Sequence, residues 1–144
     1  MSSGAKRRML SSSRSDEFLG TWAVRRLVVD RQNGRKVRFA GTAVVSRDRF
    51  EEDGETFAGD MSLRSHRKYV LDFTGDGVAV AFHDLRPFVF ISDTPSQRLH
   101  HRCGDDDYIG RLFFPSFDSL VEVWRVNGPR KNYTSIAHYH RVDG

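Results

Sequence analysis

The stretch HHRCGDDDYIGRLFF, residues 100–114, brings two histidines, the chain's single cysteine, three aspartates and a tyrosine into nine residues. Three chemistries use such side chains. Zinc is held by His, Cys and Asp, so His100, His101, Cys103 and Asp106 are all ligand types. Neighbouring residues of a strand point to opposite faces, however, which lets only one of the two histidines join Cys103. No second cysteine and no HExxH pair completes a set, and no metal is expected. A cysteine nucleophile needs a base within hydrogen-bond reach. His101 and Cys103 lie two apart on one strand face, roughly 7 Å between α-carbons, with no nucleophile elbow beside them. Cys103 therefore reads as a small buried hydrophobe. The third chemistry is acid–base work in a pocket, with His101 as acid or base and Tyr108 or Glu122 assisting. The aspartates of GDDDY read as a turn, because Asp side chains bond their own backbone. Asp106 is a further candidate to orient a histidine or an arginine.

These residues must be positioned by one ordinary domain, since 144 residues is a common size for a single core. An aromatic share of 12% suits half-buried pleated surfaces. One cysteine cannot form an internal disulfide, so no oxidising compartment is required. The opening MSSGAKRRMLSSSRSDE has no apolar core of the kind a secretory signal or membrane anchor carries. No apolar run approaches the roughly 20 residues of a membrane helix, and a soluble, cytoplasmic protein is the expectation. The net charge of +4 owes much to Lys6, Arg7, Arg8 and Arg14 near the start. Elsewhere the charges are interspersed, so no nucleic-acid partner is expected. Residues 1–15, small, polar and basic, read as a flexible tail; residues 16–144 read as one β-barrel domain.

Beyond the tail almost every segment is strand-like. EFLGTWAVRRLVVD alternates and stops at RQNGR, where Asn33-Gly34 predicts a type I′ hairpin. KVRFAGTAVVSRD follows, with Gly41 marking a bulge or tight bend. RFEEDGETFAGDMSL predicts two short strands around Asp53-Gly54. SHRKYVLDF and GVAVAFHD flank TGDG, and RPFVFIS, RLHHRC, YIGRLFF, LVEVWRV and NYTSIAHYHR complete the series. Turn signals at about 8–12-residue spacing indicate an all-β barrel or sandwich, and no stretch has a helical period. Closure removes exposed edges. The expected fold is thus a single antiparallel, mostly up-and-down β-barrel of about nine or ten strands with little helix, hollow enough for a ligand.

Side chains of a barrel alternate between lumen and solvent. Placing arginines outward puts His101 and Cys103 inside and His100 and Arg102 outside. It likewise turns Tyr108 inward against Arg111, Glu122 and Trp124 inward against Arg125, and groups Tyr133, Ser135, Ala137, Tyr139 and Arg141. His101, Cys103, Tyr108, Glu122, Trp124 and Tyr139 then form an aromatic wall with a few polar groups, the usual make-up of a small-molecule pocket. In NGPRKNY, Asn127-Gly128-Pro129 is a turn. Arg130 and Lys131, beside Tyr133, are either solvated or a paired cation for a carboxylate or phosphate at the barrel mouth. His83, Asp84 and Arg86 of HDLRPF are a charged rim or a plain turn.

FLGTW (18–22), FAGTAVV (39–45), RKYVLDF (67–73), VAFHDLRPF (80–88), HHRCGDDDYIGRLFF (100–114), VEVWRVNGPRKNY (121–133) and the closing YHR (139–141) together resemble the domain of unknown function 6314 family over residues 18–141. The string from Trp124 to Tyr133 is its most specific part, followed by the spacing of His101, Cys103, Asp106 and Tyr108. The chain carries Asn132 where that pattern commonly has Asp, and Leu112 where an aromatic is usual. The resemblance implies a β-barrel-like domain and no established activity. Gly20-Thr21-Trp22 on the first strand also resembles lipocalin-like barrels. That resemblance implies that Trp22 packs at a closed end against a late-strand arginine, Arg141 or alternatively Arg130.

Three functions follow as expectations. The first is a binding barrel holding a small, partly apolar, anionic ligand. The second is a small-molecule enzyme of isomerase or hydrolase type, with His101 and Tyr108 as acid and base. The third is a protein-interaction module using an outer face. No cofactor is indicated, and monomer and dimer stay open.

Overall fold

The computed structural model describes residues 14–142. The expected tail, residues 1–15, lies outside the described residues apart from its last two, which open a short 3-10 helix, Arg14–Phe18. Ten strands follow: β1 (Gly20–Asp30), β2 (Arg35–Val45), β3 (Arg49–Ala58), β4 (Met61–Thr74), β5 (Gly77–Ala81), β6 (Pro87–Ser92), β7 (Ser96–Cys103), β8 (Asp106–Ser116), β9 (Ser119–Asn127) and β10 (Asn132–Arg141). Chain neighbours pair antiparallel, with the exception of β6 and β7. β1 pairs β10, so the order runs β6-β5-β4-β3-β2-β1-β10-β9-β8-β7. This is the expected up-and-down barrel, nearly closed.

Side chains complete the closure. No backbone ladder joins β6 to β7. The Gln97 amide takes its place: its oxygen accepts the Ser92 N–H at 2.8 Å and its nitrogen donates to the Ser92 carbonyl at 2.9 Å. Farther along the seam His101 Nδ1 lies 3.1 Å from the Phe88 carbonyl. A carbonyl only accepts, so Nδ1 carries the proton of that bond.

Several turns depart from expectation. Asp30 pairs with Arg35, so the loop after β1 holds four residues and only Gly34 has positive φ, 64°. Asn33 instead donates to the Asp30 carboxylate from its backbone and its amide, which makes a two-residue type I′ turn unnecessary. Asp53-Gly54 is not a turn but the middle of β3, and the chain reverses at Gly59-Asp60. Nor does Gly41 mark a bulge, because β2 and β3 keep one register through it and Gly41 faces Gly54. A Cβ at either glycine would sit 2.2 Å from a backbone oxygen of the other strand and under 3 Å from the Phe39 ring. The glycines serve close approach, with Phe39 lying over them. In GDDDY only Gly104-Asp105 turns; Asp106 and Asp107 pair with Cys103 and Arg102.

One end of the barrel is packed shut. Trp22, 1% exposed, donates its indole N–H to the Phe18 carbonyl at 2.9 Å. The Arg141 guanidinium lies 4.2 Å from the Trp22 ring centroid and 4.0 Å from that of Phe117. It donates to the carbonyls of Leu19, Glu17 and Phe117. Gly20, at φ 128°, leaves a Cβ position only 3.1 Å from that guanidinium. Among the described residues no helix is long and apolar enough to cross a membrane.

Gly41→Ala is expected to destabilise the fold by about 1–3 kcal/mol through overpacking. Gly75→Ala, where nothing lies within 4 Å, should stay within about 0.5 kcal/mol of the parent. Urea unfolding of the two variants checks the difference, and equal midpoints would contradict the close-approach role.

Candidate functional site

Inside the barrel the strands build three layers. Nearest the closed end is a small apolar chamber of about 80 Å³, walled by residues such as Val45, Leu71, Val78, Leu99 and Leu112. Toward the mouth lies an outer chamber of about 530 Å³, lined by Phe82, Phe88, His101, Tyr108, Trp124 and Tyr133 among others. A side branch of about 220 Å³ runs beneath β2 to β4, past Phe39, Thr56 and Ser65. Arg67 borders all three.

Between the chambers lies a belt of charge. Arg26 on β1 makes a bidentate pair with Glu52 on β3, at 2.9 and 2.8 Å. The pair spans β2, where Arg26 faces the inward Phe39 and Glu52 faces Ala43; the small Gly41 between them lets the guanidinium reach across, 5.1 Å from the Phe39 ring centroid. Arg26 also donates to the Tyr139 hydroxyl at 3.1 Å. Tyr139 in turn donates to Glu122 at 2.9 Å, and Trp124 Nε1 donates to the other Glu122 oxygen at 2.8 Å. Arg67 sits directly across from Glu52 in the ladder, but its Nε is 3.5 Å from the carboxylate and makes no hydrogen bond.

The belt sets its own protonation. Burial pushes the Glu122 carboxyl up, yet Arg67, Arg26 and the two donors outweigh it and hold the group below its ordinary value. Burial, reinforced by Glu122, pushes the Tyr139 phenol well up, so it remains a donor. Burial opposes the charge on Arg67, but the carboxylates of Glu52 and Glu122 outweigh it and keep the guanidinium cationic.

Of the residues singled out in the sequence, His101, Tyr108, Glu122, Trp124 and Tyr133 line the outer chamber, and Cys103 lies at its exposed rim. Tyr139 borders the inner chamber instead. Arg130 is exposed and Lys131 half-buried, and neither lines these chambers. Lys131 donates to the Tyr108 hydroxyl at 2.8 Å and lies 3.1 Å from Asp106. These bonds to Tyr108 and Asp106 push its ammonium up. Asp106 therefore serves a lysine rather than a histidine or arginine. His100 meets Asp107 on the outside of the barrel. Cys103 is exposed, not a buried hydrophobe, because its strand ends at the rim. Among the described residues no three His, Cys, Asp or Glu side chains are grouped to hold a metal.

Arg26, Glu52 and Arg67 were not anticipated. The signal lay in strict alternation: Trp22, Val24, Arg26, Val28 on β1, and Arg67, Tyr69, Leu71, Phe73 on β4. The alternation that assigns the faces of β7 to β10 extends to β1 and β4 as well.

Residues 18–141 match the sequence pattern of DUF6314, a family of unknown function. The chain belongs to this family. No curated protein matches it in sequence. Among solved structures, the S-type phycobiliprotein lyase of Guillardia theta superposes on this DUF6314 chain with a TM-score of 0.60 at 10% identity, covering 90% of each chain. A protein of unknown function from the DUF3598 family of Nostoc punctiforme does so with a TM-score of 0.59 at 12% identity. That match covers 88% of this chain and 48% of the other, so the DUF6314 barrel spans about half of its length. The likeness is one of fold, a calycin-like barrel.

A group whose folded-state pKa is lowered contributes stability above its ordinary value and loses it as pH falls through the folded-state value. For Glu122 the ordinary value is 4.5, so its contribution is full at neutral pH and fades below pH 4.5. Glu122→Gln is expected to lower stability at pH 7 by about 1–3 kcal/mol, because Trp124 and Tyr139 lose a charged acceptor and the nearby Arg67 and Arg26 lose an offsetting charge. It should also flatten the acid limb below pH 4.5. Urea titrations between pH 3 and 7 read both effects.

Proposed function

We propose that this protein is a binding barrel whose outer chamber takes a compact ligand with an apolar, ring-bearing body. The observation that carries this reading is the chamber itself. Its volume of about 530 Å³ falls within the roughly 300–1,000 Å³ of small-molecule sites. Its walls are rings already in stacking geometry: Phe88 lies between Tyr69 and Trp124, at centroid distances of 5.5 and 5.6 Å. Flat faces of this kind attract apolar and aromatic bodies.

Binding is favoured over acid–base catalysis by how the polar wall residues are engaged. His101 spends Nδ1 on the Phe88 carbonyl, and its ring is wedged among Phe82, Phe88 and Tyr108. Tyr108 is tied to Lys131, and Glu122 to Tyr139 and Trp124. The remaining wall members expected from sequence, Cys103 at the rim and Tyr133 beside Tyr108, complete the ligand-facing surface of this reading.

N-phenyl-1-naphthylamine, a neutral dye that brightens in apolar surroundings, is expected to bind saturably. Ser135 lies on the inner face directly across from Trp124. Ser135→Trp should therefore fill the chamber and weaken dye binding at least about tenfold, a change of 1.4 kcal/mol, while circular dichroism stays native. Absence of saturable binding, or equal binding by a folded Ser135→Trp variant, would overturn the reading.

A further inference from the structure

We propose that Arg67 is the receptor for an oxyanion on the ligand, so that the barrel selects molecules joining an apolar ring body to a single carboxylate- or sulfonate-like group. This rests on the binding-barrel reading above and adds the chemical class of its ligand.

Most charges in the lumen are already used. Both Glu52 oxygens accept from the Arg26 fork, and Arg26 adds a third bond to Tyr139. Both Glu122 oxygens are likewise taken, by Trp124 and Tyr139. Arg67 stands apart. A guanidinium carries five N–H donors, and among the described residues none of those of Arg67 finds a hydrogen-bond acceptor. The Nε is buried without a partner, and its nearest carboxylate oxygen is 3.5 Å away.

The rest of the side chain is not sealed off. Arg67 keeps 37% of its side-chain surface accessible, and because it points inward from β4, that surface faces the chambers it borders. Behind it lie the rings of Tyr69 and Phe50, at 5.4 and 5.9 Å from the guanidinium carbon. These rings hold it in place, and no hydrogen bond joins it to the Tyr69 hydroxyl. A buried donor left unmade is costly, and a hydrogen bond to a charged group is the strong kind. A planar fork of this type matches two oxygens of one anionic group.

Direction follows from the layers. Arg67 lines the outer chamber together with the rings of Tyr69, Phe88 and Trp124. An anionic group entering first meets the guanidinium, and the ring body then fills the space between Tyr108, Trp124 and Phe82. Arg86 at the rim is no rival, being paired to Asp84 at 2.7 Å. Lys131 is engaged by Tyr108 and Asp106.

The test uses two dyes with one skeleton. 8-Anilinonaphthalene-1-sulfonate is N-phenyl-1-naphthylamine with a sulfonate added, so the ratio of their affinities reads the anion alone. In Arg67→Gln that ratio is expected to fall about 10- to 100-fold, through loss of sulfonate affinity with the neutral dye little changed. Arg67→Lys should retain part of it. Ser135→Trp should weaken both dyes. In the unmodified protein, the Arg67 Nε–Hε NMR signal should shift on adding the sulfonate and stay near its place with the neutral dye. That measurement stands even where Arg67→Gln fails to fold. A neutral dye that binds while the ratio ignores Arg67, or an Nε–Hε signal indifferent to the sulfonate, overturns the anion receptor and leaves the binding barrel standing. Failure of both dyes to bind overturns the barrel reading itself.

Discussion

Two arginines and two glutamates point into one lumen, and the barrel tolerates them because opposite charges lie together, Arg26 hydrogen-bonded to Glu52 and Arg67 3.5 Å from it. An isolated charge taken out of water costs several kcal/mol even after relaxation. Here Arg26 and Glu52 meet fork to fork, and Tyr139 links that pair to Glu122 by bonding both. The resulting belt joins β1, β3, β9 and β10 through the hollow rather than along the wall. It depends on the small residues of β2, since a large side chain in place of Gly41 or Ala43 would stand between Arg26 and Glu52. One chemical requirement, neutrality in a low-dielectric space, thus dictates residue size on a strand that carries none of the charge.

The belt also divides the barrel by function. Below it the side chains are apolar and the end is shut by Arg141, held between Trp22 and Phe117 with its donors on three carbonyls. Above it the walls are aromatic and the space opens to solvent at the β5–β6, β7–β8 and β9–β10 turns. The polar residues that look catalytic in the sequence make structural contacts in this wall. His101 fastens the seam between β6 and β7, and Tyr108 is held by Lys131, which Asp106 anchors in turn.

The fold was legible in the sequence because the signals for it are local: alternation, turn residues and the absence of a 3.6 period. The faces read from alternation on β7 to β10 are those that line the lumen, so His101, Tyr108, Glu122 and Trp124 were found. What failed were rules of thumb that replace alternation with residue type. Arginine is no marker of the outer face: with Val24, Val28 and Tyr69, Arg26 and Arg67 point inward. Their partners lie across a strand or a chamber, where no spacing in the chain reveals them. Glycine beside Asp or Asn was read as a turn, yet Gly54 serves close approach within a strand, and Asn33 bonds Asp30 within a longer loop. Both residues had two physical uses, and only the pairing partner, far away in sequence, decides between them.

Phe88 ties the closure of the barrel to the shape of the site. Its carbonyl meets His101 across the seam, while its ring stacks between Tyr69 and Trp124. It sits on β6, an edge strand joined to β7 by side chains alone. The loop before it contains Leu85 at φ 72°, the one non-glycine left-handed residue among those described. Such a conformation is strained for a bulky side chain and persists only where its surroundings enforce it. Here the Asp84 carboxylate bonds both the backbone and the side chain of Arg86, and two backbone bonds between Phe82 and the loop complete the hold. The ring separating the chambers is therefore positioned from two directions, by a braced loop before it and by a histidine beside it. Bonds to the backbone of one weakly laddered strand thereby fix the pocket's inner face.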